Sequence, residues 1–209
     1  MVQTSLYKDA LTNSMTYLGQ QPDTVFIGQQ VIWHGNPMST TIGEIPKDKL
    51  IEVPVMEESQ MGMSLGMAMA GQFVVTFYPR WDFLICATNQ LVNHVDKINL
   101  MSQGKWQPNM IIRLGKGSDK PLDPGHQHRG NYLEEFKSLC PNIQFHDLLK
   151  YDNVETIYKN AYSKKMISSL KQALKDSFTT PNGLAAYVSK KYEKQIYVKT
   201  DICAQLMRL

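Results

Sequence analysis

Short runs of β-branched and aromatic residues alternate with helix-length stretches along most of this chain. That alternation restricts the fold more than any other feature. Thr24-Val25-Phe26-Ile27-Gly28, Leu50-Ile51-Glu52-Val53-Pro54-Val55, Phe73-Val74-Val75-Thr76-Phe77-Tyr78 and Met110-Ile111-Ile112-Arg113-Leu114 read as short strands. Between them, residues 4–19 carry Leu6, Ala10, Leu11, Met15 and Leu18 on one helical face. Residues 58–71 combine small residues with methionines, which predicts a helix buried on most sides. Residues 83–101 keep Leu84, Ala87, Leu91, Val95 and Ile98 in helical register, residues 131–139 predict a further helix, and residues 143–146 a last strand. Strands separated by helices predict an α/β fold with a mainly parallel sheet flanked by helices.

Composition narrows the class without naming a function. The 209 residues are 43% hydrophobic and 20% charged, the balance of a globular protein rather than a disordered or fibrous one. A net charge of +3 is too small to imply nucleic acid by itself. The charge is uneven, however: residues 1–149 carry 11 basic against 14 acidic side chains, and residues 150–209 carry 11 against 5. We therefore expect a domain over 1–150 and a basic, mainly helical extension over 151–209, broken at Thr179-Thr180-Pro181-Asn182-Gly183. Cys86, Cys140 and Cys203 are widely spaced and form no CxxC pair, as in a reducing compartment. The start lacks a basic region followed by an apolar core, and Pro79, Arg80 and Asp82 break the most apolar stretch. These observations predict a cytoplasmic protein with no membrane partner.

Among the acids, Glu57 and Glu58 lie where a strand gives way to a nearly uncharged helix. Ligands of α/β folds sit at strand carboxyl ends, and burial there would suit a carboxylate to proton exchange. Two solvated acids welcomed by a helix N-terminus explain the same residues. Gly62, Gly66 and Gly71 fit neither the dinucleotide nor the P-loop spacing and read as helix-packing residues. His126-Gln127-His128 sits in a loop rich in Gly and Pro, where a substrate-handling histidine and an exposed polar loop are both consistent with the residues. No metal site is expected from them. Ser59 and Cys86 have no base nearby in sequence, which argues against a covalent nucleophile. The basic tail reads first as a solvated face, then as a protein-docking segment, and last as a nucleic-acid contact.

The order of these pieces resembles one family. Pro54-Val55-Met56-Glu57, followed by the glycine-, alanine- and methionine-rich run to Gly71, is similar to the Pro-Ile-x-Glu…Gly-x-Ala-x-Gly stretch of pyruvate and branched-chain 2-oxoacid dehydrogenase beta subunits. Asp82-Phe83, Asn89-Gln90-Leu91-Val92-Asn93 and Lys97 resemble the family's Asp-Phe…Asp-Gln-Ile-Val-Asn…Lys helix. Ile112-Arg113, Gln127-His128 and Cys140-Pro141-Asn142-Ile143 continue in the same order. The resemblance spans roughly residues 5–150 and lies in the transketolase-like, pyrimidine-binding domain of these thiamine-diphosphate enzymes.

What the resemblance implies is specific. Thiamine's C2 proton must leave, and the cofactor's own aminopyrimidine takes it when a buried glutamate bonds the ring's N1′. That glutamate aligns with Glu57, while Glu58 falls where the family is usually apolar. Phe83 aligns with the aromatic residue that packs on the pyrimidine. His128, or His126 if the loop is aligned without a gap, aligns with a histidine implicated in reactions of the bound acyl unit. Gln30 falls at the edge of the cofactor pocket. Family members usually carry Gly-Glu-(Glu/Asp)-Val where this chain has Gly28-Gln29-Gln30-Val31, so acidic groups there are replaced. The C-terminal domain usual in the family is expected to be absent, and no Gly-Asp-Gly…Asn motif is found, since Gly115-Lys116-Gly117-Ser118-Asp119 does not supply it. Half a site is therefore expected here. An alpha-type partner would bring the diphosphate and Mg²⁺ half, in a two-plus-two heterotetramer acting on a small 2-oxoacid. A non-catalytic regulatory or scaffolding relative is the alternative.

Overall fold

In the computed structural model, residues 2–33, 38–116, 123–148 and 153–164 are described. The chain divides into two compact units, Met1–Tyr162 and Ser163–Leu209, and of the second only Ser163 and Lys164 are described. The helices expected beyond residue 164, and the break at 179–183, lie outside the described residues.

The first unit is a three-layer α/β sandwich. Its sheet contains β1 (Thr24–Gly28), β2 (Leu50–Glu52), β3 (Phe73–Tyr78) and β4 (Met110–Leu114), all parallel, in the order β2-β1-β3-β4. The helices are α1 (Val2–Gly19), α2 (Glu57–Met69), α3 (Trp81–Leu84), α4 (Ile98–Met101) and α5 (Leu133–Leu139). Side-chain alternation sorts the layers. Phe73, Val75 and Phe77 of β3 join Phe26 beneath Leu11, Met15 and Leu18 of α1. Val74 faces the other way, with Ile27 and Ala68, and Tyr78 packs with Met61 and Leu65 of α2. All six residues of β3 are buried, as a central parallel strand covered on both sides requires.

Several local expectations are corrected. The second strand ends at Glu52 rather than Val55: Val53 adds one more hydrogen bond to the Gly28 carbonyl, and Pro54 has no N–H to continue the ladder. Residues 143–146 keep an alternating burial pattern but form no strand; the chain turns at Cys140–Ile143, and Asn142 donates to the Asp96 carboxylate from both its backbone and its side chain. The stretch 81–101 is helical but interrupted. A π turn over Gln90–Val95, with Asp96 N–H reaching back to the Leu91 carbonyl, adds a residue to the helix while Leu84, Ala87, Leu91 and Val95 stay in the core. Helix α2 buries one face only. Glu57, Gln60, Met61, Ser64, Leu65 and Ala68 point inward, whereas Ser59, Met63, Gly66 and Ala70 are exposed, because a helix in an outer layer meets the sheet from one side. In α1, Leu6 is likewise exposed while the rest of its predicted face is buried.

Residues 154–162 are helical and add Val154, Tyr158 and Tyr162 to the α1 side of the core. Tyr162 packs edge-on against Phe73 and Tyr17, and its hydroxyl donates to Asp23 Oδ1 at 2.9 Å. Tyr162→Phe is expected to lower unfolding stability by about 1–2 kcal/mol, the ordinary worth of a hydrogen bond to a partly buried carboxylate. Urea titration checks this: the midpoint should fall at unchanged slope, and an unmoved midpoint would show that this contact does not hold the helix.

Candidate functional site

The order β2-β1-β3-β4 places a topological switch point between β1 and β3, where the chain leaves neighbouring strands in opposite lateral directions and opens a crevice. The candidate residues follow the carboxyl ends of the strands: Gln29 and Gln30 follow β1, Glu57 follows β2, Phe83 follows β3, and His128 follows β4. The β1 end is tightly seated. A Cβ on Gly28 would lie 2.8 Å from Phe77 Cβ and 2.9 Å from the Phe77 carbonyl oxygen, so glycine alone lets β1 and the following loop approach β3.

Glu57 is the first residue of α2 and is 7% exposed. Its Oε1 accepts from Gln29 Nε2 at 2.9 Å, and its carbonyl accepts the Tyr78 hydroxyl at 3.2 Å. Burial pushes the Tyr78 hydroxyl well above the usual phenol range, so it stays a neutral donor. One turn on, Gln60 Nε2 donates to Thr76 Oγ1 and to the Phe77 carbonyl, tying α2 to the end of β3. Glu58 diverges from its neighbour. Its Oε1 accepts from Asn89 Nδ2 at 2.7 Å and Gln90 Nε2 at 3.1 Å, and the Asn89 bond leads in holding its carboxyl below the ordinary range. The two adjacent acids thus have different surroundings: one is buried at the crevice, the other paired with amides beside the π turn.

Phe83 stacks on His128, with ring centroids 5.7 Å apart and planes 9° from parallel. His128 Nδ1 and Asp82 Oδ2 are buried with no hydrogen-bond partner among the described residues. His126 is exposed and its Nδ1 lies 3.0 Å from the Arg129 guanidinium, which also pairs with Asp123 at 3.3 Å. Of the two loop histidines, His128 is therefore the one that meets Phe83. Gln30 is exposed, adopts φ +59°, and donates its backbone N–H to Glu52 at 2.6 Å. The structure brings Glu57 together with Gln29 and Phe83 together with His128.

Sequence reasoning missed Gln29 as the partner of Glu57, and it missed Glu52 and Tyr78 altogether. Gln29 stands out in the sequence only as a departure from an acidic pattern, and nothing local in the sequence links positions 29 and 57. Cys140 is buried, which raises its thiol to about 11 and keeps it protonated at neutral pH. No helix among the described residues is long and apolar enough to cross a membrane.

A buried acid and an aromatic–imidazole stack both lie beyond the carboxyl ends of the strands of a parallel sheet, the side on which α/β domains hold their ligands. The chain belongs to the transketolase, pyrimidine-binding domain family, whose model matches residues 4–172. It is similar to the pyruvate dehydrogenase E1 component subunit beta of Chaetosphaeridium globosum, 28% identical over 140 residues that make up 66% of this chain and 41% of the relative. The corresponding protein of Chlorokybus atmophyticus is 26% identical over 144 residues, 68% of this chain and 42% of its own. The chloroplastic subunit beta-4 of Oryza sativa subsp. japonica is 28% identical over 140 residues, 66% of this chain and 34% of its own. The chain thus spans under half the length of these curated relatives.

Proposed function

We propose that this chain is a beta-type subunit of a split thiamine-diphosphate-dependent enzyme and binds the aminopyrimidine half of the cofactor. The observation that carries the reading is Glu57, a buried carboxylate oriented by an amide at the switch-point crevice. The donor set fits a heteroaromatic ring. It offers one carboxylate for a ring nitrogen, the Phe83 ring for its face, and the unpaired His128 Nδ1 in the imidazole stacked on that ring. When bound, thiamine diphosphate supplies the carbanion stabilisation needed for 2-oxoacid decarboxylation and acyl or aldehyde transfer.

The residues divide the remaining work. Gln29 engages Oε1 of Glu57, which leaves Oε2 as the oxygen that would share a proton with the pyrimidine nitrogen. Phe83 packs on the ring and excludes water from it. His128, held against Phe83, serves proton transfers at the substrate carbonyl, and Gln30 lines the pocket edge. The Mg²⁺ and diphosphate half comes from an alpha-type partner in a two-plus-two assembly. The substrate is a small 2-oxoacid, and the compartment is the cytoplasm. The basic residues 151–209 have a role separate from cofactor binding, while Val154, Tyr158 and Tyr162 among them complete the core of the first unit. A regulatory or scaffolding relative is the second reading, favoured by Gln29, whose amide occupies one Glu57 oxygen where the resembled family carries an acid.

Native mass spectrometry of the full chain, alone and co-expressed with an alpha-type partner, tests the proposal with thiamine diphosphate and Mg²⁺ present. Cofactor is expected to be retained only in the mixed assembly. A chain that neither pairs nor helps to retain cofactor would overturn the enzyme reading in favour of the second.

A further inference from the structure

Glu52 closes β2, and its carboxylate does not simply face water. Oε1 accepts the backbone N–H of Gln30 at 2.6 Å, and Oε2 accepts those of Val31 and Ile32, each at 2.9 Å. Three successive N–H groups turned toward one point form an anion-binding nest, here filled by the chain's own carboxylate from the neighbouring strand. The nest needs Gln30 at φ +59°, a conformation that residues other than glycine rarely adopt, so the clamp holds the backbone in a state it would otherwise leave.

Register explains why this matters to the site. Glu52 lies opposite Gly28 in the β1–β2 pairing, and Gly28 is itself pressed against Phe77. Gln29 is the residue between these two anchors: the crowded glycine precedes it and the clamped amides follow it. Its side-chain amide is the donor that meets Glu57 Oε1.

We propose that Glu52 is a positioning residue for Glu57, acting through the loop after β1 by setting the place of the Gln29 amide. Its relevance to catalysis rests on the reading of Glu57 given above; the mechanical coupling from Glu52 through Gln29 to Glu57 does not. A latch that only stabilises the loop would protect the amides of residues 30–32 and leave the Gln29 side chain indifferent. A positioning residue moves both.

The test uses the full chain labelled with ¹⁵N, alone in solution. Glu52→Gln keeps the length but replaces one acceptor oxygen with an NH₂ that cannot accept. Exchange of the Gln30, Val31 and Ile32 amides is expected to quicken by about tenfold or more, the effect of losing one charge-assisted hydrogen bond. The Gln29 side-chain amide resonances should move toward those of a Glu57→Ala chain, in which the contact is gone. Glu52→Asp keeps the charge on a shorter arm and should give a smaller shift in the same direction. It also carries the test if Glu52→Gln does not fold. Faster exchange at residues 30–32 with an unmoved Gln29 side-chain signal would overturn the proposal and leave a structural latch. No change in either would overturn it outright. Failure of the cofactor reading is separate, because full turnover in a Glu57→Gln assembly would remove Glu57 from catalysis while leaving the coupling measured on the free chain intact.

Discussion

Glu57→Gln is expected to cut thiamine-diphosphate-dependent turnover of the reconstituted pair by about a hundredfold or more, the scale of a lost acid–base group. The substitution is nearly isosteric, and the new side chain retains an oxygen that can accept from Gln29 as Glu57 Oε1 does at 2.9 Å. It cannot take up and release a proton. The fold should survive, because an amide is easier to bury than a carboxylate, so unfolding stability should hold or rise. Circular dichroism and a urea midpoint provide the control, and steady-state kinetics with a small 2-oxoacid provide the readout. Equal loss in kcat and kcat/KM would identify an interaction made in the transition state. Undiminished turnover would remove Glu57 from the proton chemistry.

Phe77→Ala is expected to have the largest effect on stability, a loss of about 3–5 kcal/mol. Phe77 is 1% exposed near the carboxyl end of β3, stacked on Phe26 with centroids 6.2 Å apart. Its ring also lies under the Arg113 guanidinium, 5.4 Å from the centroid. Arg113 is buried, and burial pushes its pKa down from the usual arginine value. No carboxylate among the described residues pairs with it; it donates to the Thr41 carbonyl at 3.4 Å and to Thr41 Oγ1. Truncating the ring therefore opens a cavity and also strips a desolvated cation of its aromatic face, worth up to about 2 kcal/mol. Phe77→Leu separates these effects by refilling much of the volume without restoring the face. Against a total stability of about 5–15 kcal/mol, the alanine variant should be largely unfolded in mild urea. A leucine variant as stable as wild type would show that the cation–ring contact contributes nothing.

Particular residues show where sequence reasoning succeeds. Four strands were legible because each is a short apolar run bounded by turn residues, and a buried parallel strand needs apolar side chains on both faces. The helical stretch 83–101 was legible because Leu84, Ala87, Leu91 and Val95 meet one core. The same periodicity did not reveal the π turn, whose added residue is absorbed without turning those side chains away. Residues 143–146 read as a strand because Ile143 and Phe145 do point inward, yet a strand needs a ladder partner, and alternation alone does not supply one. Glu57 was visible as a carboxylate between strand and helix, but residue type alone did not separate it from Glu58; the family resemblance pointed to Glu57, and the structure gives the two different surroundings, burial for one and amide pairing for the other.

By itself the sequence determined the fold class and the order of the strands along the chain. Those follow from local periodicity and from residue type, which act over a few residues. Only the tertiary structure decided that Gln29 meets Glu57, that Glu52 clamps three amides of another strand's loop, and that His128 rather than His126 lies on Phe83. These contacts join residues far apart in the chain through parallel pairing and crossover connections, and no local pattern encodes which loops a sheet brings to one edge.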